Sequence, residues 1–178
     1  MNIFILNTGR CGSTTFIKAC EHITNYTAAH ESLCRCIGDQ RLAYPGNHIE
    51  ADNRLSWFLG RLDASYGDSA FYVHLSRDVN ATVESFSRRD GFGIIKAYKE
   101  GILLEGQADQ TSHDIALDYI NTVESNIEYF LKDKTNKMNF SLESAADDFK
   151  LFWEQIHAQG DLRKALLEWD VNYNASQV

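Results

Sequence analysis

Pro45 is the only proline in 178 residues, and the eleven glycines are scattered, so no Pro/Gly-rich stretch of the kind that links domains is present. Four cysteines (Cys11, Cys20, Cys34 and Cys36) are too few for a disulfide-dense scaffold. No apolar run reaches membrane-spanning length, and a strand-like run that begins at Asn2 predicts that no secretory leader precedes it. These absences predict a reducing, cytoplasmic setting, where the triplets Asn25-Tyr26-Thr27 and Asn174-Ala175-Ser176 carry no glycan. A basic run is also missing from this chain of net charge −8, which makes it a poor candidate for sequence-independent nucleic-acid binding. There is no repeat and no low-complexity tract. What is present, 44% hydrophobic and 12% aromatic residues, suffices for one well-filled core, so residues 1–178 are expected to form a single domain.

Lysine is nearly absent from the first half. Residues 1–89 hold one of the eight lysines but eight of the nine arginines, and their charges balance; the whole excess of −8 lies in residues 90–178. Arginine's planar fork suits phosphate and sulfate, so anion chemistry is expected in the first half.

Asn2-Ile3-Phe4-Ile5-Leu6-Asn7 is almost wholly apolar, as a central parallel strand is. After a glycine-bearing turn, Phe16, Ile17, Cys20 and Ile23 recur at helical spacing, with Ser13 in the first turn and Lys18, Glu21 and His22 facing out. Residues 26–29, 48–52, 70–76 and 138–142 predict further strands. Leu55, Phe58, Leu59 and Leu62 predict the helix after the third strand, and Val79, Val83 and Phe86 the one after the fourth. Ile115, Tyr119, Val123, Ile127 and Phe130 mark a long amphipathic helix, and helices are expected near 144–158 and 161–169. Trp57, Trp153 and Trp169 read as core. The alternation of strands and helices predicts an α/β fold with a parallel sheet, whose ligands sit at the carboxyl ends of the strands. The polar clusters 8–15, 30–32 and 77–78 fall there.

In Thr8-Gly9-Arg10-Cys11-Gly12-Ser13-Thr14-Thr15, a turn from strand to helix aims backbone N–H groups and a helix dipole at one spot. Gly9 and Gly12 permit close approach of an anion, Arg10 supplies charge and the three hydroxyls supply donors. An ordinary glycine turn is the plain alternative. The nucleotide-triphosphatase pattern G-x-x-x-x-G-K-[ST] is excluded, since the glycines are three apart and no lysine precedes the hydroxyl residues. A phosphatase C-x5-R loop is excluded because Ile17 stands six after Cys11. Cys20-x-His22, His30 and Cys34-x-Cys36 do not match zinc spacings.

Residues 8–16 resemble the 5′-phosphosulfate loop of the sulfotransferase family. Arg10, Cys11, Gly12, Ser13 and Thr14 fill, in order, the family's basic residue, small residue, glycine and two hydroxyl residues. Residues 72–86 resemble the family's 3′-phosphate site, a strand ending in arginine and a serine eight positions later, here Arg77 and Ser85. The family's C-terminal Arg-Lys-Gly donor loop is not evident, because Arg163-Lys164-Ala165 lacks the glycine and looks helical.

The resemblance implies a three-layer P-loop-like fold, with donor motifs in residues 2–89 and a helical acceptor side in about 90–135. It implies transfer of a sulfuryl group from 3′-phosphoadenosine 5′-phosphosulfate to a hydroxyl, of a carbohydrate or other acceptor, by in-line attack without a metal. Donor contacts would come from Gly9, Arg10, Cys11, Gly12, Ser13, Thr14, Thr15, Arg77 and Ser85, with Arg88 and Arg89 either helping or simply solvated. Family members take the acceptor's proton with a glutamate or histidine after an early strand. Glu31 matches best, with His30 to orient or replace it and Asp52 as runner-up, while Arg10 would stabilise the leaving oxygen. A non-catalytic nucleotide-binding module on the same fold is the alternative. A small-molecule kinase is a third reading, which the missing loop lysine opposes.

Overall fold

The computed structural model describes residues 1–171 and 173; the triplet Asn174-Ala175-Ser176 lies outside them. Five short strands, β1 (Ile3–Leu6), β2 (Thr27–His30), β3 (His48–Ala51), β4 (Phe71–Ser76) and β5 (Lys137–Ser141), form one sheet in the order β2-β3-β1-β4-β5. Every pairing is parallel, so all five carboxyl ends lie along one edge. β1 is central and wholly buried, as its unbroken apolar run requires.

Successive residues of a strand face opposite layers. Ile3, Ile5, Val73 and Leu75 meet α1 (Ser13–Cys20) and the C-terminal helices, in a core that holds Phe16, Ile17, Phe140, Phe149 and Phe152. Phe4, Leu6 and Tyr72 face a second core built on α2 (Leu59–Tyr66), α3 (Val79–Ser87), α4 (Gly93–Ala97) and α5 (Ser112–Leu131). The expected three-layer α/β architecture with a parallel sheet is present. On the first face α6 (Ala145–Gln155) and α7 (Leu162–Leu167) complete the layer, and Arg163-Lys164-Ala165 is helical as expected.

The structure departs from expectation in three places. The helix predicted from Leu55 is split into a 3-10 turn, Asn53–Trp57, and α2, because the Asp52 carboxylate caps the turn by accepting from Arg54 N (2.9 Å). Trp57 is 36% exposed rather than core, its ring 6.1 Å from that of Tyr98 at the rim of the α5 layer. Val79 is exposed too, on the first turn of α3, where the Asp78 carboxylate accepts from Ala81 N (2.8 Å) as N-cap.

Candidate active site

The turn between β1 and α1 is built by residues around it. Asn7, fully buried, accepts from Gly9 N (2.9 Å) and lies 3.5 Å from Cys11 Sγ. The Thr8 carbonyl accepts from Tyr119 Oη (2.7 Å) on α5 and from Asn53 Nδ2 (3.4 Å) after β3. Three of four consecutive residues are left-handed: Gly9 (φ 89°), Arg10 (φ 62°) and Gly12 (φ 89°). The first hydrogen bond of α1 runs from Phe16 N to the Gly12 carbonyl, so the amides of residues 13–15 point out of the helix end.

Both turn glycines resist substitution, through close neighbours and left-handed backbone angles. A Cβ on Gly9 would sit 2.9 Å from Asn53 Nδ2, and one on Gly12 would sit 2.7 Å from Leu142 Cδ1, each at a backbone angle that side chains resist. Gly12→Ala is expected to cost about 1–3 kcal/mol, read as a lower urea midpoint at unchanged slope. Gly46→Ala, with nothing within 4 Å and no left-handed angle, should leave the midpoint in place.

The turn and the end of β4 are joined. Arg77 Nη1 donates to the Arg10 carbonyl (3.1 Å), and Arg10 Nε donates to Ser85 Oγ (2.9 Å) on α3. Burial, then the neighbouring cations Arg89 and Arg77, lower the pKa of Arg10. Three guanidiniums thus crowd one corner of the sheet edge. Arg88, by contrast, points into solvent 3.9 Å from Glu84. Cys11 is buried, and burial, helped by the charge of Glu124, pushes its thiol up to about 12; at neutral pH it stays a thiol and serves as a small packing residue. Ser13 and Thr14 are half-buried, while Thr15 is buried.

The other end of the edge carries the carboxylates. Glu31 follows β2 in the left-handed region (φ 53°), and its N–H extends the ladder to the Ala51 carbonyl (3.0 Å). Its side chain, one-third exposed, meets Arg54 Nη1 at 2.8 Å. Buried Glu50 holds the next residue, accepting from Ser32 N (2.7 Å) and Ser32 Oγ (2.6 Å) as well as lying 3.0 Å from His48 Nε2. His30 Nε2 lies 3.0 Å from Ser13 Oγ, which ties the end of β2 to the glycine turn.

Asp52 is placed differently. It is fully buried; one oxygen accepts from Arg41 Nη2 (2.5 Å) and the other from Arg54 N. That leaves it the part of a structural anchor.

The structure therefore brings Gly9, Arg10, Cys11, Gly12, Ser13, Thr14, Thr15, Arg77, Ser85, His30 and Glu31 to one edge. Sequence reasoning missed Asn7, Asn53, Arg54, Glu50 and Tyr119. Asn7 had a signal, an amide closing an apolar strand, but Tyr119 sat in a helical stripe like any core residue. Also unforeseen is the pairing of His74 on β4 with Glu124 on α5 (2.6 Å). Among the described residues no group of three His, Cys, Asp or Glu could hold a metal ion, and no helix is long and apolar enough to cross a membrane.

No family model matches the chain, and no curated protein matches it in sequence. Its fold is similar to that of a solved sulfotransferase domain from the curacin biosynthetic pathway, with a TM-score of 0.64 at 14% identity, over 96% of this chain and 78% of that one. This chain has the fold of a sulfotransferase domain, a parallel sheet covered by helices on both faces.

Proposed function

We propose that the protein is a sulfotransferase that uses 3′-phosphoadenosine 5′-phosphosulfate to sulfate a hydroxyl. The observation that carries this reading is the cation cluster of Arg10, Arg77 and Arg89 beside Ser85 and the glycine turn. Guanidiniums gathered beside a helix N-terminus favour anions, and two candidate anion seats follow. One is the amide-lined helix end behind Gly12; the other is Arg77, just after β4, with Ser85 on α3. A donor with phosphate at both 3′ and 5′ positions fits that pair.

The donor supplies an activated sulfuryl group. The residues of the chain divide the remaining work along the sheet edge. Arg77 and Ser85 hold the 3′-phosphate, and Gly9 to Thr15 hold the 5′ side. Arg10, joined to both, puts positive charge beside the leaving phosphate oxygen. Beyond the turn, on the β3–β2 side, Glu31 accepts the proton of the attacking hydroxyl, and His30 steadies the turn through Ser13. As the new O–S bond forms, the bond from sulfur to the phosphate oxygen breaks and the proton ends on Glu31. In this reading the whole chain is one domain, and the helices of residues 90–135 shape the acceptor side.

Arg77→Ala tests the donor site. A charge-assisted hydrogen bond is worth about 1.5–3 kcal/mol, so affinity for 3′-phosphoadenosine 5′-phosphate by calorimetry is expected to fall roughly tenfold to a hundredfold. Unchanged affinity in this variant would remove the reading. Tight binding in the wild type with no turnover on any hydroxyl acceptor would instead favour a nucleotide-binding module.

A further inference from the structure

We infer that Arg54 reads an anionic group, a carboxylate foremost, on the acceptor, and that Glu31 is released to act as base when it does so. The inference rests on the sulfotransferase reading above and names the acceptor class for the same site.

Of the arginines along the sheet edge, Arg10, Arg77 and Arg89 gather on the β1–β4 side, where two anionic groups of the donor are accounted for. Arg54 stands apart from them, after β3, on the side where the acceptor must lie. Its neighbour Asn53 touches the glycine turn through the Thr8 carbonyl, so Arg54 borders the reaction centre.

Two arginine–carboxylate pairs stand on that side, beside buried Glu50, which is engaged by Ser32 and His48. Arg41 and Asp52 are buried and locked together at 2.5 Å. Arg54 and Glu31 form the second pair at 2.8 Å, each side chain about one-third exposed. Asp52 Oδ1 is 4.0 Å from Arg54 Nη1 and is already engaged as cap for Arg54 N. Glu31 is therefore the nearest counter-charge of Arg54, and a proton taken up by Glu31 during transfer leaves Arg54 only the longer contact to Asp52. An anion on the acceptor takes the place of that near partner. It also takes Arg54 away from the carboxylate that must face the hydroxyl.

The geometry permits this exchange. A pair one-third exposed at both ends is weak enough for a ligand anion to displace. Among the described residues the Arg54 side chain meets its partners through Nη1, and its planar fork suits a carboxylate. The Asp52 cap fixes the Arg54 backbone, so the guanidinium can turn while its base stays put.

The test is calorimetry on the full chain saturated with 3′-phosphoadenosine 5′-phosphate. Two matched pairs of probes are titrated: methyl β-glucuronide against methyl β-glucoside, and 4-(hydroxymethyl)benzoate against 4-methylbenzyl alcohol. In at least one pair the carboxylate member is expected to bind at least about tenfold tighter, as one charge-assisted contact implies. Arg54→Gln is expected to erase that preference, and Arg54→Lys to keep part of it. Equal or absent binding of the charged members overturns the inference, as does a preference that survives in Arg54→Gln. Failure of the nucleotide itself to bind would instead sink the sulfotransferase reading.

Discussion

Glu31→Gln is expected to reduce sulfuryl transfer by about 10²–10⁴-fold, the usual worth of a positioned general base, while leaving the affinity for 3′-phosphoadenosine 5′-phosphate unchanged. Glutamine keeps the shape of the side chain and can still accept from Arg54, but it cannot take the proton of the acceptor hydroxyl. The structural cost should be small. The Glu31–Arg54 pair is about one-third exposed at both ends, and exposed pairs contribute only about 0–1 kcal/mol. The backbone of Glu31 is held independently by the Ala51 carbonyl and, one residue on, by Glu50. A large loss of turnover at unchanged stability and unchanged nucleotide affinity therefore separates proton transfer from folding. Full turnover in Glu31→Gln, with loss in His30→Ala, would move the base to the neighbouring imidazole.

Asp52→Ala is expected to act on stability. Its carboxylate is fully buried, and its partner Arg41 is 2% exposed, with Tyr44 Oη 3.1 Å from Arg41 Nη1 and the ring of Phe58 5.0 Å away. Removing the carboxylate strands a buried guanidinium, a change that typically costs about 3–5 kcal/mol. For a chain of this size that corresponds to a fall of roughly 6–20 °C in melting temperature. Arg54→Ala removes only the partly exposed member of the group, so its melting temperature should stay close to that of the wild type. A small effect of Asp52→Ala on stability, with a large one on turnover, would return Asp52 to consideration as the base.

These outcomes bear on how much the sequence discloses. The buried strands were legible because both faces of a parallel strand are covered, so Ile3 to Leu6 and Phe71 to Leu75 read as unbroken apolar runs. The glycine turn was legible because left-handed angles at Gly9 and Gly12 demand a residue without Cβ. Arg77 and Ser85 were singled out by their resemblance to a family motif, and the structure links each of them to Arg10. The rest depended on contacts that spacing does not encode. Tyr119 reaches Thr8 across 111 positions, and Arg54 meets Glu31 across two strands. Trp57 broke the helical pattern because it closes a 3-10 turn that Asp52 caps. Asp52 itself had the right position for a base, yet Arg41 from a preceding turn of the chain claims its carboxylate. A candidate carboxylate in a sequence carries no label for its partner. Here the partners separate Glu31, reachable from solvent, from Asp52, which is not.

The central claim, two anion seats filled by one nucleotide, is tested most directly by titrating the wild-type chain with 3′-phosphoadenosine 5′-phosphate and, in parallel, with adenosine 5′-phosphate. The two differ only in the 3′-phosphate that Arg77 and Ser85 would hold. The account predicts that the bisphosphate binds more tightly by at least about tenfold, the worth of one charge-assisted contact. Equal affinities for the two, or no binding of either, would contradict it.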